Sequence, residues 1–94
     1  MRIDDIIWLP TIVDKLSWKH HVTPQEVEEV LFDNPLYRKV QKGYIPGEGL
    51  YAALGQTSTG RYLIVFFVYK TTREALLISA RDMSDKEKKQ YGRR

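Results

Sequence analysis

The chain contains no cysteine, which excludes a disulfide scaffold and every Cys-ligated zinc site and suits a reducing compartment. Long apolar runs are also missing. The longest, Tyr62 to Tyr69, falls far short of the roughly 20 residues that a membrane-spanning helix needs. The start, Met1-Arg2-Ile3-Asp4-Asp5, reaches two acids before any apolar stretch and offers no small-residue cleavage site. No signal peptide is therefore expected, and the cytoplasm is the expected location. Histidine is scarce. The adjacent His20 and His21 point in different directions on a helix and cannot share one ion from it. There is no His-x-x-x-His pair, and Gly47-x-Gly49 lacks the strand before it and helix after it of a phosphate loop. No metal and no cofactor is expected. Repeats and low-complexity tracts are absent, so the 94 residues read as one domain, 1–94.

What is present is ordinary for a folded chain: 43% hydrophobic and 29% charged residues, with fifteen Lys/Arg against twelve Asp/Glu. The resulting +3 charge suits a polyanionic partner without requiring one. Residues 2–8 alternate loosely and end in Ile6-Ile7-Trp8, a first strand, and Pro10 either closes it or opens the next helix. From Thr11 to about His20 the spacing is helical, with Ile12, Leu16 and His20 on one face and Lys15 and Lys19 in a neighbouring row. Thr23-Pro24-Gln25-Glu26 is a capping box with proline at the first helical position. Val22 and Val27 stand at staple spacing around it. The helix ends at Asn34-Pro35.

Beyond that point the period changes to two. Strands are expected over 36–41, 50–56, 61–69 and 74–81, with a Gly/Pro-rich loop at 42–49 and a hairpin connection at Thr57-Ser58-Thr59-Gly60. The central strand is apolar on both faces, which implies cover on both sides or one face on helices and the other on a partner. Ser84-Asp85-Lys86-Glu87 is a second capping box, opening a short helix through Tyr91. The fold class is α+β: an N-terminal strand and two helices packed on an antiparallel sheet of about four strands, with a short C-terminal helix.

The residues that could carry chemistry are basic and scattered: Lys15, Lys19, Arg38, Lys39, Lys42, Arg61, Lys70, Arg73 and Arg81. Tyr37, Tyr44, Tyr51, Tyr62 and Tyr69 are interleaved with them. Cations for phosphate and π faces for unstacked bases are what single-stranded RNA requires. Metal-free RNA cleavage adds a base for the 2′-hydroxyl, cations for the phosphorane and an acid for the leaving oxygen. Taken alone, spacing favours His20 as a half-buried packing residue, solvated Lys15 and Lys19, and mostly structural tyrosines with one presented to a ligand. It leaves Arg81 open between a functional cation and an ion pair beside Asp82.

Certain strings go further. Lys19-His20-His21-Val22-Thr23-Pro24-Gln25-Glu26-Val27 resembles the Lys-His-Gly-Val-Ser-Phe-Glu-Glu-Ala segment of the BrnT-type toxins. Val30-Leu31-Phe32-Asp33-Asn34-Pro35 is similar to that family's Val-Phe-x-Asp-Pro. Leu54-Gly55-Gln56-Thr57, Gly60-Arg61-Tyr62-Leu63-Ile64-Val65 and Ile78-Ser79-Ala80-Arg81 follow in the family's order, with Glu87 and Tyr91 in its last helix and Trp8 near its start. The resemblance implies a RelE-like fold and a metal-independent endoribonuclease, the toxin of a type II toxin–antitoxin pair. It also implies an RNA substrate and a cognate antitoxin, of ribbon-helix-helix type, bound in a hetero-oligomer. Carried over by position, the catalytic residues are Lys19, His20, Arg61 and Arg81. Two departures stand out. His21 replaces a glycine, and Glu48-Gly49-Leu50 lacks the arginine of a family Glu-Arg pair. The second departure supports an alternative, a catalytically attenuated homologue acting as a protein-interaction or nucleic-acid-binding module.

Overall fold

A computed structural model describes residues 1–43 and 46–93. Tyr44, one of the interleaved aromatics, and Arg94 lie outside the described residues, as does Ile45 within the expected 42–49 loop. The order is β1 (Asp5–Ile7), α1 (Pro10–Lys15) continuing into a π-helical turn (Leu16–His20), α2 (Pro24–Leu31), β2 (Leu36–Lys42), β3 (Gly49–Gln56), β4 (Tyr62–Tyr69), β5 (Glu74–Asp82) and α3 (Asp85–Gly92).

Both capping boxes form as their residues dictate. Thr23 Oγ1 accepts from the Glu26 N–H at 3.2 Å while Glu26 Oε1 accepts from the Thr23 N–H at 3.0 Å, and Pro24 opens the helix. Val22 and Val27, on either side of that cap, are fully buried. Ser84 and Glu87 repeat the exchange at 3.2 and 2.8 Å. Proline is also tolerated at the first position of α1, where its missing N–H has no intrahelical partner to lose.

The sheet has five strands in the order β1-β5-β4-β3-β2. This corrects the expectation of about four antiparallel strands with the N-terminal strand packed on them. β1 lies within the sheet as a parallel edge strand, Ile6 beside Ala75 and Ile7 beside Leu76. The remaining pairs are antiparallel, with register shifts between Lys39 and Gln41 and between Phe66 and Phe67.

One sheet face carries Ala53, Leu63, Val65, Phe67, Ala75, Leu77 and Ala80 against Leu16, Val22, Val27, Val30 and Leu31 of the helical side. Contact there is close: a Cβ on Gly55 would stand 2.9 Å from Val30 Cγ1, so glycine lets α2 approach β3. The opposite face is smaller, with Ala52, Leu54, Ile64 and Met83 buried and Leu36, Phe66 and Tyr91 packed against them. The central strand is thus covered on both sides over part of its length. Past α3, its Val68 and the neighbouring Leu50 and Leu76 are only half-buried. No helix among the described residues is long and apolar enough to cross a membrane.

A rim cluster at one end of the sheet

The site is built where three chain segments meet at the sheet end that carries the β3–β4 connection. The first is the exit from the helical layer. The π-helical turn closes with Val22 N–H on Leu16 O at 3.1 Å, and His21 adopts φ 53°, the left-handed conformation that glycine takes freely. This turn leaves the carbonyls of His20 and His21 facing the sheet end. The second segment is the start of β4. Gly60, at φ 93°, completes the tight connection in which Gly60 N–H donates to Thr57 O and Thr57 N–H to Arg61 O, both at 2.9 Å. The third is the end of β5, where Arg81 and Asp82 pair with Ile64 and Leu63.

Arg61 joins all three. Its Nη1 donates to His21 O at 2.7 Å and its Nη2 to His20 O at 3.0 Å. Nε and Nη2 meet Asp82 Oδ1 and Oδ2 at 2.8 and 3.2 Å, and Nη1 also reaches Glu26 Oε2 at 3.2 Å. Every nitrogen of the guanidinium is therefore engaged by the protein itself. The Asp82 hydrogen bond, more than Glu26, holds the Arg61 proton above its ordinary range, against partial desolvation. Reciprocally, Arg61 holds the Asp82 carboxyl below its ordinary range, with weaker help from Lys88 and His20.

Arg81 leaves the sheet on the opposite face, as strand alternation demands of neighbours at positions 81 and 82. Its Nη1 and Nη2 grip Glu87 Oε1 and Oε2 at 2.8 and 3.0 Å, Nη1 also donates to Asp82 O at 3.1 Å, and the guanidinium lies 5.5 Å from the centre of the Phe66 ring. The Arg81 hydrogen bonds, aided by the Ser84 N–H, lower the Glu87 carboxyl to about 2.

Of the four residues carried over by the resemblance, the structure thus gathers His20, Arg61 and Arg81 around Asp82, with the two arginines on opposite faces of one sheet end. Lys19, next to His20, is exposed and has no ion-pair or hydrogen-bond partner among the described residues. The arrangement is a rim. Two surface cavities among the described residues, of about 270 and 390 Å³, are lined by other residues. Among the described residues, no three of His, Asp and Glu come together as metal ligands would.

Several participants are absent from the sequence-derived set. Glu26 and Glu87 stand out in sequence as capping residues, and only the fold gives each an arginine as well. Trp18 is 70% exposed on the same turn as Lys19 and His20. It lies off the Ile12–Leu16–His20 face, a signal that a helical wheel carries. Among the strand tyrosines, Tyr37 and Tyr51 pack on Phe67 and Tyr69 on Tyr51, all on the helical side. Tyr62 is the exposed one at this end, edge-on to Tyr91 and 5.7 Å from Lys88 Nζ.

Glu48 lies far away. It binds Lys70 Nζ at 2.9 Å and the Thr71 N–H at 3.2 Å, tying the β2–β3 connection to the β4–β5 turn. Gly49 pairs with Tyr69 and Gln56 with Tyr62, so seven strand steps of about 3.3 Å separate the Glu48 end from Arg61.

No curated protein matches the chain. The family model described as the ribonuclease toxin BrnT of type II toxin–antitoxin systems matches residues 13–87, from the middle of α1 to Glu87 in α3, and such membership implies an antitoxin partner and an RNA target. The chain belongs to the BrnT family of ribonuclease toxins.

Proposed function

We propose that this chain is a metal-independent endoribonuclease of RelE-like architecture that acts as one domain in the cytoplasm and is neutralised by a ribbon-helix-helix antitoxin. The observation that carries the reading is the cluster around Asp82. It brings the His20 turn, Arg61 and Arg81 to one sheet end. The exposed Lys19, which has no ion-pair partner among the described residues, is next to His20 in the same turn. Family membership supports the substrate class.

In this reading His20 takes the proton of a 2′-hydroxyl, which attacks the adjacent phosphorus to close a 2′,3′-cyclic phosphate and expels the 5′-oxygen, which takes up a proton from water. Arg81 and Lys19 stabilise the negative charge that grows on the phosphorane. Arg61 is a positioning residue. Its grip on the carbonyls of His20 and His21 sets the turn that presents the imidazole. Trp18, 70% exposed, offers a π face on which an unstacked base can rest, and Lys88 over the Tyr62 ring adds a cation at the same end.

The test is cleavage of RNA by purified protein in EDTA, comparing wild type with His20→Ala, Lys19→Ala and Arg81→Ala at matched thermal stability. Loss of the base should lower the rate by about two to four powers of ten. Equal cleavage by all four proteins would remove this site. A second reading, a non-catalytic interaction module, is favoured by one observation: both arginines are paired with carboxylates of the chain itself. It expects no cleavage by wild type, together with undiminished antitoxin binding.

A further inference from the structure

Arg81 poses a physical problem for any role in phosphate binding. The two donors of its outer fork, Nη1 and Nη2, are taken by the two oxygens of Glu87. That is the bidentate geometry in which a guanidinium holds a phosphate. The Glu87 side chain is only 12% exposed, whereas Arg81 is 40% exposed. The carboxylate therefore sits inside the fork, with the cation turned toward solvent. Phe66 backs the guanidinium plane, so the fork keeps its direction whichever anion fills it.

The element that carries Glu87 is weakly embedded. None of the residues of α3 is fully buried. The helix is attached through Met83 just before it, through Tyr91 against the sheet and through polar contacts such as Arg38 Nη1 to Gln90 Oε1 at 2.7 Å. Glu87 also holds the Ser84 N–H at 2.8 Å, so one carboxylate both starts the helix and fills the arginine. Lys88, one residue on, lies over Tyr62 at the same sheet end.

We propose that Glu87 is a built-in substitute for a phosphate: it latches α3 over Arg81 in the free protein, and RNA displaces it to engage the fork. The proposal rests on the ribonuclease reading of Arg81 and adds its regulation. Binding and α3 release are coupled, because phosphate and carboxylate compete for the same two N–H groups. Anything that holds α3 down, including a protein partner laid across it, keeps the cation occupied.

The experiment measures binding of a fluorescent 2′-O-methyl oligonucleotide, which cannot be cleaved, to wild type, Glu87→Gln, Arg81→Ala and the double variant. Asp85→Asn serves as a control that removes the same charge from the same helix. Glutamine retains the capping role at the third helical position, so α3 still starts at Ser84. Glu87→Gln should bind about tenfold tighter than wild type, Asp85→Asn about twofold tighter at most, and the Glu87→Gln gain should vanish in the Arg81→Ala background. Amide hydrogen exchange in α3 should speed up when the oligonucleotide binds to wild type. If Arg81→Ala weakens binding while Glu87→Gln does not tighten it, or if α3 stays protected in the complex, the latch is wrong and the arginine's role stands. Equal binding by wild type and Arg81→Ala, or no binding by any variant, overturns both.

Discussion

Replacing Arg61 by alanine tests whether this cation ties the fold or grips substrate. The side chain is about three-quarters buried and donates to two backbone carbonyls and two carboxylates on three segments. Removing it strips the His20 and His21 carbonyls of their donor and leaves Glu26 and Asp82 near each other without the cation between them. Each carbonyl bond is worth about 0.5–1.5 kcal/mol net, and water at this rim recovers part of it. Each partly exposed ion pair adds roughly another 0.2–1 kcal/mol. The expected loss is about 2–3 kcal/mol, or about 10–20 °C in Tm for a chain of this length. Urea titration should show a lower midpoint at unchanged slope, since the surface exposed on unfolding is the same. Arg61→Lys should recover little, because an ammonium group reaches one partner where the planar fork reaches four. An Arg61→Ala protein that melts within a degree or two of wild type yet no longer binds RNA would refute the argument. Arg61 would then be a phosphate ligand rather than a tie.

Two further outcomes follow from the same geometry. The Glu87 carboxyl is lowered from 4.5 to about 2 in the folded protein, so the stability it contributes is complete above pH 4.5 and drains away between there and pH 2. The urea-midpoint gap between wild type and Glu87→Gln should correspond to at most about 3 kcal/mol near neutrality and close across that acid window; a gap that persists at pH 2 contradicts the pairing. His21→Gly should stabilise the protein by about 0.5–1 kcal/mol, because the left-handed backbone at φ 53° is unfavourable for a side chain with a Cβ. A fall in melting temperature would show that the His21 imidazole repays that strain.

Much of the fold was legible in local sequence. Thr23 and Ser84 announce their helices because a capping box is an exchange between residues three apart, and the meander strands follow from period-two patterning and turn residues. The parallel pairing of β1 with β5 was not legible, since three residues near the start carry no mark of a partner almost seventy positions away. Nor was the π-helical turn, whose wide hydrogen bonds depend on how Leu16 and Val22 are buried against the sheet. The site shows the same division. The strings around His20, Arg61 and Arg81 place these residues in order along the chain. Their carboxylate partners at 26, 82 and 87 are set by strand register and by the returns of α2 and α3, which no spacing rule encodes.

That register also bears on the arginine missing beside Leu50. A cation lost within the cluster around Asp82 would cost rate directly, because transition-state stabilisation depends on donors within hydrogen-bond reach of the developing charge. Position 49 pairs with Tyr69, whereas Arg61 precedes the partner of Gln56, about 23 Å along the same strand pair. A side chain at 49 would start beside Gln41 O and the Tyr51 ring, at the end where the Glu48–Lys70 ion pair ties the two turns. The missing arginine leaves Lys19, His20, Arg61 and Arg81 in place, so the departure argues for weaker grip on a distant stretch of RNA and not for damage to the proposed catalytic centre. Long and short substrates separate the two: a short oligonucleotide confined to the His20 end should be cut at a rate that an added cation at the Glu48 end does not change.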